Sequence, residues 1–262
     1  MKMTSYAPGT PNWVDLGSPN IAESIAFYGE LFGWQAVDQG PDAGGYHMFE
    51  LDGAAVAGLG PQMQPGIPPY WTTYIAVADT DATVERVKSA GGMVFVEPMD
   101  VFESGRMAVC ADSSGAPFSV WQAKDHIGCE LAGEPNTFCW AELTVRDADA
   151  AGAFYSKVFG WQPQTAHAAP GSAHAYTEWH LGKTVIGGMM TMDDNWPAEV
   201  PPHWMAYFAV GDADAATQQV LDLGGNICVP PTDIAPGRFS VVNDPHGAMF
   251  SLIALSPDMA SQ

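Results

Sequence analysis

Basic side chains are scarce in this chain. Nine Lys and Arg stand against thirty Asp and Glu, a formal charge of −21 over 262 residues. So few cations cannot neutralise phosphates, so no nucleic acid and no anionic membrane surface is expected as a partner. The acidic excess reads as a solubility-tuned surface, with steering of a cationic ligand as the alternative. Cysteine is sparse too: Cys110, Cys129, Cys139 and Cys228 lie far apart with no Cys-x-x-Cys clip, which argues for reduced thiols rather than a disulfide framework. No apolar run approaches membrane-spanning length, and Met1 to Thr10 has neither an apolar core nor a cleavage pattern. A cytoplasmic location is the expectation. Gly-x-Ser-x-Gly, Gly-x-Gly-x-x-Gly and phosphate-loop patterns are missing as well, leaving hydrolase-elbow and nucleotide-binding readings without support.

What the chain does have is a repeat. Asn12-Trp-Val-Asp-Leu16, Ala26-Phe-Tyr28 and Leu31-Phe-Gly-Trp-Gln35 return 127 residues later as Cys139-Trp-Ala-Glu-Leu143, Ala153-Phe-Tyr155 and Val158-Phe-Gly-Trp-Gln162. Later blocks follow at slightly larger shifts. Trp71…Tyr74-Ile-Ala-Val77 matches Trp204…Tyr207-Phe-Ala-Val210, and Gly105-Arg106…Asp112…Gly115…Phe118-Ser119 matches Gly237-Arg238…Asp244…Gly247…Phe250-Ser251. Self-similarity over half a chain indicates duplication, hence two like domains, 8–126 and 135–256, packed as an internal pseudo-dimer. A homodimer of such chains is the other assembly considered.

Each half divides again. Trp13-Val-Asp-Leu16 has strand character, Asn20-x-x-Glu23 has the form of a capping box, and Ile21, Ile25, Tyr28 and Phe32 recur at helical spacing before Gly33. Two alternating runs follow, with Asp52-Gly53 as a hairpin turn between them. The order repeats after a Pro/Gly-rich stretch, with a helix over Asp81 to Ala90 and strands at Met93–Val96, Met107–Cys110 and Phe118–Trp121. The expected class is α+β, four βαβββ modules at 10–60, 70–123, 138–190 and 203–255, forming two open-barrel domains. Short connections favour pairing module one with two and three with four; pairing one with four is the alternative.

An inward strand, a helix carrying Phe-Tyr and ending Leu/Val-Phe-Gly-Trp, and a closing hairpin of Asp-x-x-Gly type resemble the vicinal oxygen chelate superfamily, which includes glyoxalase I, extradiol dioxygenases and bleomycin-resistance proteins. Within it the likeness is to two-domain actinobacterial members, among them a mycobacterial culture-filtrate antigen and anthracycline-cluster proteins labelled hydroxylase. The resemblance implies metal ligands on inward strands, at the places held here by Trp13, Thr73 and Ser119 in one half and Trp140, Ala206 and Ser251 in the other. Trp has no lone pair to give, Ala has none, and neutral Ser is a poor primary ligand for Zn, Ni or Fe. No metal and no other cofactor is therefore expected. His174, Glu178 and His180, alternating along one strand, form the one remaining cluster with donor chemistry.

Period-two alternation puts Asp15 on the face of Trp13, and Glu142 on that of Trp140. Trp71, Trp121 and Trp204 are expected on the same pocket faces, with Tyr176, Glu178, His180 and His203 as further ligand contacts in the second half. Aromatic walls around a carboxylate suit a flat or cationic organic molecule. Asp15 and Glu142 are the candidate catalytic residues, as general base or acid, unless Arg106 and Arg238 pair with them and make them structural. Three functions follow: a metal-free enzyme with lyase, isomerase or hydroxylase chemistry on a reactive carbonyl or polyketide-like compound, a protein that sequesters such a molecule, or an interaction protein with vestigial pockets.

Overall fold

The computed structural model describes residues 1–62, 66–166 and 176–256. The first module runs β1 (Pro11–Ser18), α1 (Ile21–Phe32), β2 (Gln35–Asp38), β3 (His47–Leu51) and β4 (Ala54–Pro61). The second runs β5 (Trp71–Ala76), α2 (Thr80–Ser89), β6 (Met93–Val101), β7 (Gly105–Ala111) and β8 (Pro117–Ala123). The third repeats this order as β9 (Phe138–Val145), α3 (Ala148–Phe159), β10 (Gln162–Ala166), β11 (Tyr176–Leu181) and β12 (Thr184–Thr191). The fourth completes it with β13 (His203–Ala209), α4 (Ala213–Asp222), β14 (Asn226–Ile234), β15 (Gly237–Asn243) and β16 (Met249–Leu255).

Two eight-stranded mixed sheets result, ordered β2-β3-β4-β1-β5-β8-β7-β6 and β10-β11-β12-β9-β13-β16-β15-β14. Both are open, with β2 and β6, and β10 and β14, as edges. Modules one and two share a sheet because β1 pairs antiparallel with β5; β9 pairs likewise with β13. The strands of Trp13 and Trp204 thus belong to different sheets. No helix among the described residues is long and apolar enough to cross a membrane.

Local chemistry accounts for the element ends. Asn20 caps α1 by accepting from the Glu23 N–H at 3.3 Å, and Gly33 ends it in a left-handed conformation at φ 73°. The box is only half formed. The Asn20 N–H goes to Ser18 Oγ at 3.0 Å, and the Glu23 carboxylate lies 3.2 Å from the His246 imidazole instead. Asp52 and Gly53, both at positive φ, make the tight β3–β4 turn.

The two halves are joined through their convex sides. Tyr28 on α1 accepts from Trp71 Nε1 at 3.2 Å and donates to Asp244 Oδ2, in the β15–β16 turn, at 3.1 Å. Tyr155 on α3 repeats this, accepting from Trp204 Nε1 at 2.9 Å and donating to Asp112 Oδ2 at 3.1 Å. Each aspartate spends its other oxygen on its own turn: Asp112 Oδ1 accepts from the Ser114 and Ala116 N–H groups, Asp244 Oδ1 from those of His246 and Ala248. Phe208 packs against Phe32, Trp34 and Trp71 across the joint. Each such aromatic, taken out of water, contributes about 1.5–3 kcal/mol.

Candidate functional site

The opposite, concave face of each sheet holds the carboxylates. In register across the first sheet, Asp15 lies between Gly58 on β4 and Thr72 on β5, while Trp13 lies beside Tyr74. Tyr74 donates its hydroxyl to Asp15 Oδ2 at 2.7 Å. Tyr46 reaches the same oxygen at 3.5 Å and accepts from Trp13 Nε1 at 3.2 Å. Burial pushes the Asp15 carboxyl up to about 6, against the opposing effect of hydrogen bonds from Tyr74, Thr72 and Tyr46. Burial beside this acid drives the phenols of Tyr46 and Tyr74 well above their ordinary range, so both stay protonated as donors.

The second sheet repeats the device. Glu142 lies between Gly188 and Met205, and Trp140 beside Tyr207. Tyr207 donates to Glu142 Oε1 at 2.9 Å. Tyr176 accepts from Trp140 Nε1 at 3.0 Å and is the second hydrogen-bond donor to Glu142. Burial raises the Glu142 carboxyl, and these two tyrosines oppose the rise. Glycine is required in both sheets for the same reason. A Cβ on Gly58 would sit 1.8 Å from the Tyr46 hydroxyl, and one on Gly188 1.9 Å from that of Tyr176.

Trp13, Asp15 and Trp121 face one concave side; Trp140, Glu142, Tyr176 and His203 face the other. Trp121 makes an edge contact with Tyr74 at 6.4 Å, and burial lowers the pKa of His203. Glu178 lies in the row of Gly188 and Glu142, where the first sheet has Met48 beside Gly58 and Asp15. His180 is displaced by an irregularity after Trp179 and pairs with Glu178 at 3.2 Å. His174, the third member of that cluster, lies outside the described residues.

Trp71 and Trp204 are a correction. Both point to the convex side, where they hydrogen-bond to Tyr28 and Tyr155 in the joint. Thr73 and Ala206 share that side, so the residues completing the concave sets are their neighbours Tyr74 and Tyr207. The error is one of phase: Trp13 falls opposite Tyr74 and Asp15 opposite Thr72, which puts Trp71 opposite Leu16 on the other face. The arginines are a second correction. Arg106 binds Asp81 and Asp100, Arg238 binds Asp214 and Asp233, all at the surface. Neither reaches a concave carboxylate.

These donor sets do not fit a transition metal. Each centres on one buried or half-buried carboxylate, and its phenols are held protonated and so have no anionic oxygen to give. Among the described residues, no group of three or more His, Cys, Asp and Glu side chains is arranged around a common point as ligands would be.

Family comparison agrees with this architecture. A model of the "Glyoxalase/Bleomycin resistance protein/Dioxygenase superfamily" matches residues 10–120 and again 137–252. The chain belongs to this superfamily. It is 42% identical to the anthracycline biosynthesis protein DnrV of Streptomyces peucetius, over 97% of this chain and 96% of that protein. It is 41% identical to the "Putative glyoxylase CFP32" of Mycobacterium tuberculosis, over 98% of both. Among solved structures, the Mn(II)-bound glyoxalase from Novosphingobium aromaticivorans superposes with a TM-score of 0.63 at 18% identity, covering 94% of this chain and 82% of that one. A 2,2′,3-trihydroxybiphenyl 1,2-dioxygenase from Sphingomonas wittichii gives 0.63 at 14%, covering 95% and 91%. At those identities the likeness is one of fold.

Sequence reasoning missed Tyr74 and Tyr207 as the acid's donors and gave Tyr46 no role. A signal was present: Tyr46 precedes Gly58 by the same twelve residues that separate Tyr176 from Gly188.

Proposed function

We propose that this superfamily member binds a small, flat organic molecule on the concave faces and moves a proton on it with a buried carboxylate, without the family metal. The observation that carries the reading is the environment of Asp15 and Glu142. Each acid is hydrogen-bonded by neutral hydroxyls and lies next to an indole, and among the described residues neither has an Arg or Lys partner. An ionised group so placed costs several kcal/mol unless neutralised or hydrogen-bonded. A carboxyl raised to about 6 takes and returns a proton readily near neutral pH. Both tyrosines at Asp15 address Oδ2. The protonated phenols, in turn, are suited to hydrogen-bond an oxygen on which charge develops.

The substrate class follows from walls and relatives together. Indole and phenol surfaces favour stacking of planar rings. DnrV is named for anthracycline biosynthesis, and anthracyclines are planar fused-ring compounds. A planar polyketide-type intermediate is the substrate we assign, with reactive carbonyl compounds as the other class to screen. Sequestration without turnover is the second reading. It is favoured by the charge of −21, which attracts a cationic planar compound without any chemistry.

A thermal-shift screen over anthraquinones, planar cationic dyes and reactive aldehydes tests binding, since a ligand of the folded state raises Tm by mass action. Mass spectrometry of the bound compound separates the two readings. A changed product, lost in Asp15→Asn or Glu142→Gln, supports catalysis; an unchanged compound supports sequestration. No shift with any class rejects both.

A further inference from the structure

The two concave faces carry the same tryptophan–tyrosine–carboxylate device but differ in what lies over the indole. We propose that they have parted in role: His126 seals the indole of the first, and the second is the face that takes the flat ligand. This rests on the ligand reading above.

His126 follows β8 and turns back over the first concave face. Its ring meets Trp13 edge-on at 4.5 Å between centroids and Trp121 at 5.7 Å. Trp121 Nε1 donates to the His126 carbonyl at 2.8 Å, which fixes the backbone of the plug as well as its side chain. Trp13 is left 4% exposed. The imidazole Nε2 is buried with no hydrogen-bond partner, and burial lowers its pKa to about 4, so it sits there as a neutral ring. A histidine used for proton transfer needs a polar partner at that nitrogen; one used as filler does not.

Among the described residues the second face has no such pair. Register places Ile253 where the first sheet has Trp121, since Ala209 pairs with Ile253 as Ala76 pairs with Trp121. Among the described residues no ring packs on the Trp140 indole, which stays half-buried. It packs against a cluster of Met205, Tyr207 and Ile253, which Phe239 and Val241 also join. Methionine and branched aliphatics adapt to a flat apolar guest better than a fixed pair of indoles. Glu178 adds a second carboxylate in the row of Glu142, which the first sheet replaces by Met48. The seal concerns the stacking surface alone: Asp15 itself remains partly accessible, whereas Glu142 is 7% exposed. The first face thus keeps an acid without a platform, and the second keeps both.

Hydroxyl-radical footprinting of the full chain, read by peptide mass spectrometry, tests the seal without any ligand. Trp140 is expected to label several-fold faster than Trp13. His126→Ala should raise Trp13 labelling towards that of Trp140, while His126→Leu, which refills the space, should keep it low. Equal labelling in the unaltered protein overturns the proposal, and this arm stands even if His126→Ala fails to fold. So does continued protection of Trp13 in a folded His126→Ala protein. Fluorescence titration with proflavine, a planar cation, then tests the ligand face. One equivalent that is lost in Trp140→Ala and kept in Trp13→Ala supports the assignment, and the reverse pattern overturns it. Absence of binding to every form rejects the reading of these faces as ligand sites, and the footprint decides the seal separately.

Discussion

Tyr207 gives its hydroxyl proton to Glu142 across two neighbouring antiparallel strands, at 2.9 Å. Tyr74 stands in the same relation to Asp15 at 2.7 Å. A phenol donating to a carboxylate stabilises the ionised form, so the tyrosine restrains a pKa that burial alone would lift further.

Removing that restraint should be visible. Tyr207→Phe is expected to raise the Glu142 pKa and to move the acid limb of any pH–activity profile to higher pH. The cost in stability should be about 1–2 kcal/mol for one lost hydrogen bond at a buried acceptor. Carboxyl titration by 13C NMR, beside urea denaturation, checks both. An unmoved pKa would mean that Tyr207 does not restrain the acid.

The sign of the pH dependence at Asp15 is the reverse of the usual salt-bridged aspartate. Its folded-state pKa of about 6 lies above the ordinary value of 3.8, so the folded protein holds the proton more tightly than the unfolded chain. Stability falls as pH rises from about 4 through about 6, and is flat on either side of that window. Asp15→Asn should therefore be more stable than the parent above pH about 6, by about 1–3 kcal/mol, with the gap closing below pH about 4. Melting curves across this range measure it. A gap that widens on acidification contradicts the assignment.

Gly58→Ala and Gly188→Ala each place a methyl inside a tyrosine hydroxyl's contact radius. Each should destabilise by about 1–3 kcal/mol, as overpacking does. Adding Tyr176→Ala to Gly188→Ala should recover part of that loss, because the clash disappears; additive losses in this double-mutant cycle would show that the tyrosine does not dictate the glycine.

Chelation should leave ligand binding unchanged, and elemental analysis should find no stoichiometric Zn, Ni, Mn or Fe. The motive is that the phenols around Asp15 and Glu142 stay protonated and leave each of these carboxylates without an anionic partner ligand. About one metal ion per chain, removable with loss of binding, would contradict this, with Glu178 and His180 then the first residues to substitute.

The repeat was legible because duplicated blocks keep their spacing, and it yielded the order of elements along each module. Alternation from Trp13 placed Asp15 correctly, since only one strand and no bulge separate them. It failed at Trp71 on the neighbouring strand β5, where a one-residue slip in register reverses the face. The phenol clamps were hidden for a different reason. They depend on which strands become neighbours, and β1 lies between β4 and β5, so Tyr46 and Tyr74 reach one oxygen from opposite sides. His126 was out of reach altogether, because its position follows from a turn after β8 and not from any periodic element.

The crossed ties Tyr28–Asp244 and Tyr155–Asp112 have a consequence for synthesis. As the chain leaves the ribosome, the first half can form its sheet, but the Tyr28 hydroxyl has no acceptor until residue 244 emerges. Some two hundred residues of translation separate the two partners, which at about 5–20 residues per second is on the order of ten seconds or more. During that interval the aromatic convex face, with Trp34 and Trp71 upon it, faces water or a chaperone. A stalled or truncated product should accordingly be prone to aggregate, and the coding sequence cannot be split between the halves without leaving each with an unfinished surface.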